Sequence, residues 1–276
     1  MDKQFFNRVV VLDAGLPGQT GRSWSGLRIG FEVEKLGDKT PDTAAIEVFN
    51  LNPDSRSFLS EPGIVVRLAA GYTGQGDSPP EVFMGDIRPE SIVHAREGTD
   101  IVSRFEAADG GVKLQTTRLA ASFAGPIGTR DLLREVAAKM GLDYAQLPDA
   151  LPDQQYMCGY SIFGPVRESL DDIVQSAGAR WTVQDGELVV TMDGEATIEV
   201  AVLLSPTSGL IGEVERMGTT AVRVTSLLNG RIKPRRRLQV ESAGFTGIVR
   251  PTTVRHFGDA GWSPDFYTQA ECEVVS

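Results

Sequence analysis

Two cysteines and two histidines among 276 residues leave little of the side-chain chemistry from which most catalytic and metal centres are built. Cys158 and Cys272 form no Cys-x-x-Cys pair, so neither a disulfide framework nor a zinc knuckle is indicated, and both read as small buried hydrophobes. His94 and His256 belong to no His-Glu-x-x-His or His-x-His arrangement, and both fall in predicted strands, where a structural or surface role is the ordinary one. A Gly-x-Ser-x-Gly elbow is missing, which removes local support for a serine hydrolase of that kind. No apolar run approaches the roughly 18 residues that span a bilayer, and the polar start, Met1 to Arg8, lacks the apolar centre of a signal peptide. A protein made in a cytoplasm, with no membrane partner and no cofactor, is the expectation. Neither an internal repeat nor a low-complexity segment stands out.

What is present describes an ordinary globular chain, 41% hydrophobic and 23% charged, long enough for two small domains or one large one. Lys and Arg number 27 against 37 Asp and Glu, and the net charge of -10 repels a polyanion on average. That balance argues against a dedicated nucleic-acid binder and suits a wall to which DNA must not stick.

From Gln4 to about Gln115 the pattern is strand after strand. Phe5 to Leu12 is a compact apolar run. Leu27, Ile29, Phe31 and Val33 alternate with Arg28, Gly30, Glu32 and Glu34, the period of a half-buried strand. Further strands are predicted at Ala44 to Leu51, Gly63 to Gly71, Glu81 to Ile87, Ser91 to Ala95 and Asp100 to Ala107. Turn signals such as Asn52-Pro53-Asp54-Ser55 and the loop Gly71 to Gly76 separate them. At Thr129 the period becomes 3.6. Leu132, Leu133, Val136 and Met140 share one helical face, with Thr129 as N-cap and Gly141 just past the end. A second helix opens with Pro165 at its first position, carries Val166, Leu170, Ile173, Val174 and Ala177, and stops at Gly178. Two strands then flank Asp185-Gly186, the pair that a two-residue hairpin turn favours. Strands return at Ile198 to Leu204, Ala221 to Leu228, Arg237 to Val240, Gly247 to Phe257 and Phe266 to Val275. The fold class is mainly β with a small α+β insertion, divided at 1–122, 123–195 and 196–276.

Within Thr225 to Ser242 the chain gathers Arg231, Lys233, Arg235, Arg236 and Arg237 after an Asn229-Gly230 turn signal. This reads as a hairpin with a basic loop. Arginine suits a contact with an acidic partner or neighbouring subunit, because its planar fork pairs with carboxylates; a phosphate contact or a merely solvated loop are the other readings. Asp171-Asp172 reads as the solvated face of the second helix. Carboxylate pairs of the glycosidase kind leave no fixed spacing and stay open.

The order of these parts resembles the tail hub, or baseplate hub, proteins of tailed bacteriophages and prophages. Carrying the likeness are Ala45-Ile46-Glu47-Val48-Phe49-Asn50-Leu51, Val66-Arg67-Leu68-Ala69-Ala70-Gly71-Tyr72 and Phe83-Met84-Gly85-Asp86-Ile87, then Glu168 to Ile173 and Trp181 to Val190, and finally Ser205 to Gly212, Ser226 to Asn229 and Val254 to Asp259. The resemblance implies a non-enzymatic virion protein with two tail-tube-like β-barrels flanking a helix-helix-hairpin module. It further implies a homotrimer that joins the tail tube, or a tube-initiator protein, to the central spike. Tape measure protein, and baseplate wedge proteins in a contractile tail, would be neighbours, and DNA would only pass through. Virion tail tip or baseplate is the implied location, with assembly in the host cytoplasm. The alternatives are a peptidoglycan-active tail hydrolase and a nucleic-acid-binding module built on the basic cluster.

Overall fold

The computed structural model describes residues 7–16, 19–38, 40–73, 79–109, 118–142, 145–184, 187–192, 202–261 and 263–275. The Asp185-Gly186 turn, the start of the strand expected from Ile198 and most of the loop after Tyr72 lie outside the described residues. The chain is mainly β, as its alternating patterns predict.

The first stretch holds β1 (Arg8–Gly15), β2 (Arg22–Ser25), β3 (Ile29–Leu36), β4 (Thr43–Phe49), β5 (Val65–Tyr72), β6 (Glu81–Ile87), β7 (Val93–Glu97) and β8 (Asp100–Ala108). In β3 the alternation does what its period requires, burying Ile29, Phe31 and Val33 and exposing Glu32 and Glu34. Val10, Leu12, Val33, Val48, Leu68 and Phe83 meet in one core, and each such side chain contributes about 1.5–3 kcal/mol by leaving water. β1 and β3 are far apart along the hydrogen-bonded path yet share that core, so the sheet folds back over itself. Two elements of this stretch differ from expectation: β2 lies where no strand is predicted, and a helix stands in place of a turn. Pro53–Leu59 is a short helix, α1, rather than a turn, because Asn52 Oδ1 accepts from Ser55 N at 2.7 Å and Pro53 presets the first helical φ.

A buried charged row lies at one end of this sheet. Lys35 on β3, Asp42 just before β4 and Asp109 just after β8 are all buried. Asp42 accepts from Leu36 N through Oδ1 and from Asp109 N through its carbonyl, each at 2.9 Å. Charges so deep persist because they are partnered.

The middle stretch contains β9 (Arg118–Phe123), β10 (Ile127–Gly128), α2 (Thr129–Lys139), β11 (Ala145–Gln146), β12 (Gln155–Tyr156), β13 (Tyr160–Pro165), α3 (Val166–Ser176), β14 (Ala179–Gln184) and β15 (Glu187–Met192). Leu132, Leu133 and Val136 of α2 and Leu170, Ile173 and Val174 of α3 pack with Trp181, Val183, Leu188 and Val190 into a second core. Both helices start one position from the expected place: Gly128 is the cap of α2, not Thr129, and Pro165 is the cap of α3 rather than its first residue. Gly141 and Gly178 follow their ends with φ of 71° and 67°, the left-handed turn that glycine permits. β9 pairs with β13, so residues 118–123 side with this module.

The closing stretch holds β16 (Val202–Leu204), β17 (Leu210–Arg216), β18 (Ala221–Leu227), β19 (Leu238–Glu241), β20 (Thr246–Asp259) and β21 (Phe266–Val274). Its core contains Leu204, Val222, Val224, Ile232, Leu238, Val240 and Cys272. β20 belongs to two neighbourhoods. Its first part pairs with β19, its second part pairs with β3 from Thr253↔Leu36 to Asp259↔Gly30, and a register shift falls between Pro251 and Thr253. Proline cannot donate to a ladder and is tolerated at such an irregularity. One sheet therefore runs through both stretches.

That sheet carries an internal repeat of strand order, although the sequence shows no clean repeat. Leaving out β2 and β7, the first stretch lies across the sheet as β3-β4-β8-β6-β5-β1, and the closing stretch as β17-β18-β21-β20-β19-β16. Both visit six positions in the same chain order. All neighbours in both sets are antiparallel save the last, where β16 runs parallel to β19 while β1 runs antiparallel to β5.

Candidate functional site

The basic segment is not a hairpin. β18 pairs with β17 and β21, β19 pairs with β16 and β20, and residues 228–237 cross from one to the other. Asn229 Oδ1 accepts from Arg231 N at 3.0 Å, closing a local turn. Gly230 passes so close to β6 that an added Cβ would stand 3.1 Å from Glu81 O. Leu228 enters the first core and Ile232 the closing core, so this connection ties the two together.

The five cations do not act as one patch. Arg231 and Arg237 are exposed, while Lys233, Arg235 and Arg236 are half-buried. Arg235 adopts φ 61°, its N–H donates to Pro251 O at 2.8 Å, and its guanidinium donates to Gly37 O and, at 3.2 Å, to Thr191 Oγ1. It thus ties the end of β3 to β15 of the helical module. Beside it a cavity of about 320 Å³ is lined by Asp38, Arg180, Arg235, Arg250 and Glu273.

The remaining chemistry-bearing residues have structural partners. Trp181 Nε1 donates to Asp171 Oδ1 at 2.9 Å, so of the Asp pair Asp172 is the exposed member and Asp171 orients a core tryptophan. Among the described residues no three His, Cys, Asp or Glu side chains gather as a metal site. Cys272 is buried, and desolvation, with Glu271 adding to it, pushes its thiol up to about 12. Cys158 is exposed, which corrects its reading as a buried thiol: it sits in a turn between Met157 and Gly159, the latter at φ 82°.

The histidines, far apart in sequence, occupy equivalent places. His94 Nδ1 lies 2.9 Å from the hydroxyl of Ser103, its register partner on β8, and His256 Nδ1 lies 2.8 Å from the hydroxyl of Thr268, its register partner on β21. His256 is fully buried; His94 is exposed, with Nε2 3.3 Å from Ser60 Oγ.

The described surface carries a charged groove and several exposed apolar side chains. An outer groove of about 620 Å³ crosses β20, β3, β4 and β8, bordered by Arg255–Glu32 at 2.7 Å, Arg104–Glu47 at 3.3 Å and Arg28–Asp259 at 3.0 Å. Phe163, 91% exposed, stands on β13 opposite Ala120. Val93 on β7 is 54% exposed, and Met217, just past β17, is 46% exposed. Alternation alone placed none of these.

No protein-family model and no curated protein matches the chain. Solved structures match it in fold. A 43 kDa tail protein of prophage MuSo2 from Shewanella oneidensis is 11% identical, with a TM-score of 0.63 over 96% of this chain and 98% of that one. A tail protein from Neisseria meningitidis is 11% identical, with a TM-score of 0.65 over 97% of each chain. The c3393 protein of E. coli, a type VI secretion component described as structurally similar to the T4 bacteriophage tail proteins gp27 and gp5, is 12% identical, with a TM-score of 0.54 over 95% of this chain and 77% of that one. At such identities the likeness is one of fold, and it extends along nearly the whole chain.

Proposed function

We propose that this chain is a structural protein of a phage or prophage tail, the hub that connects the tail tube to the central spike and lines the DNA channel. The observation that carries the reading is the near-complete fold likeness to tail proteins. The internal repeat supports it further. In this reading the first and closing stretches form two tube-like barrels around the helical module, which the β9–β13 pairing extends back from 123 to 118. Three copies then present six like halves to a sixfold tube and a threefold face to the spike. The net charge of -10 suits a channel wall that must release DNA. Tape measure protein, and wedge proteins if the tail contracts, would meet the same ring, and cleavage of the cell wall falls to other subunits.

The test is co-expression with the tube and spike proteins of the same tail cluster, read by particle mass and electron microscopy. A ring of three 29.8 kDa chains capping a tube is the expected result. A chain that stays monomeric and joins neither tube nor spike overturns the reading. Clearing of cell-wall substrate that a single Asp or Glu substitution abolishes would overturn its non-enzymatic part. Arg231 and Arg237 are the exposed cations of the cluster, and in this reading an acidic neighbour would meet them. Reversing both to glutamate is expected to abolish assembly while the melting temperature stays at the parent value.

A further inference from the structure

The repeat shows which joint is closed within the chain and which is left open. Inside the chain β3 lies along the second part of β20, with Glu32 opposite Phe257, Val33 opposite His256 and Glu34 opposite Arg255. β7 is the counterpart of that part of β20: it lies on β8 as β20 lies on β21, and His94 matches His256 down to its hydroxyl partner. Among the described residues β7 pairs with β8 alone, so its second edge is open. The counterpart of β3 is β17, and among the described residues β17 pairs only with β18. Among the described residues each chain therefore carries one unfilled edge of each kind, and open edges are templates for another strand.

We propose that β17 of one copy pairs antiparallel with β7 of the next, as β3 pairs with β20 inside the chain, joining copies head to tail. The occupant of the open edge is a second copy of this chain because the chain already contains both sides of that joint. The internal register fixes the cross-chain one. Ser103 pairs with Val48 and Thr268 with Ser226, so Ala45 corresponds to Arg223 and Ala44 to Val222. Their partners are Glu32 and Val33 on β3, and Glu215 and Arg216 on β17. Carried across, Glu215 faces Ala95 beside Arg96, Arg216 faces His94, and Met217 faces Val93. Two exposed apolar side chains thereby cover each other. His94 is held below its ordinary value, first by desolvation and then by Arg56, which keeps it uncharged opposite Arg216 at neutral pH. A head-to-tail interface of this kind closes into a ring when its rotation divides a full turn. The seam rests on the hub reading only for the number of copies.

Single variants M217C, V93C and S23C, each combined with C158S to remove the exposed thiol, test the seam. Ser23 lies on β2, which among the described residues pairs only with β1 at the other end of the sheet path. Each variant is checked for an unchanged melt, with E215C and A95C as substitutes for a misfolding pair. Mixed M217C and V93C, treated with a short bismaleimide, should give a linked dimer about tenfold above mixed M217C and S23C, since paired strands hold the thiols at high effective concentration. Equal yields, M217C linking mainly to itself, or no link at the highest soluble concentration overturn the seam while leaving a tail role standing. The double variant M217C/V93C should give a ladder that stops at three chains. A ladder stopping elsewhere supports the seam and overturns the three-copy hub.

Discussion

Arg235 shows how a residue read as part of a charged loop becomes a bracket. Its left-handed φ, and the distant contacts of its backbone with Pro251 and of its guanidinium with Gly37 and Thr191, are facts that a run of cations does not encode. Hydrogen bonds from charged groups are worth about 1.5–3 kcal/mol, so R235A is expected to lower stability by about 2 kcal/mol in a chemical melt. R237A, at an exposed position, should stay within about 0.5 kcal/mol of the parent. If the two variants melt alike, the bracket is absent. The thiols make a second residue-scale contrast. With Cys272 shielded and its thiol near 12, a disulfide reagent at mildly alkaline pH should titrate one thiol in the native protein and two after unfolding. Cys272 was legible because Thr268, Ala270, Cys272 and Val274 alternate on one face of β21, whereas the turn around Cys158 carries no period to read.

Elements were legible wherever one face is apolar over several turns or pairs. The stripes of α2 and α3 and the alternation of β3 and β21 located those elements to within a few residues, since burial imposes the period directly. α1 is too short to show a stripe, burying only Ser55 and Leu59, and its true signal is the Asn52-Pro53 cap. Asn52→Ala is expected to cost about 1 kcal/mol, measurable by denaturant titration, and an unchanged midpoint would remove the cap from the account. The misread hairpin at Asn229-Gly230 has the opposite cause. Asn-Gly marks a turn, but which strands flank it in space is decided by pairing partners elsewhere in the closing stretch, β17 and β21 for β18 and β16 and β20 for β19, rather than by the dipeptide.

On the scale of the molecule, mainly-β class and a helical middle followed from periodicity, and the internal repeat did not. Its halves share strand order while exchanging side chains freely, and the two histidines are an identity that survives at matched positions. Binary pattern suffices to hold a strand in place, and pattern repeats everywhere in a β protein. The open edges were equally hidden, because a strand at a sheet's margin and one at its centre can share the same alternation. β20 adds a mechanical consequence. One unbroken strand is hydrogen-bonded to β19 along its first part and to β3 along its second. Tension applied along it must shear the pairs from Thr253↔Leu36 to Asp259↔Gly30 together, rather than peel them one by one. A pull on either half is thus delivered to the other as a stiff load.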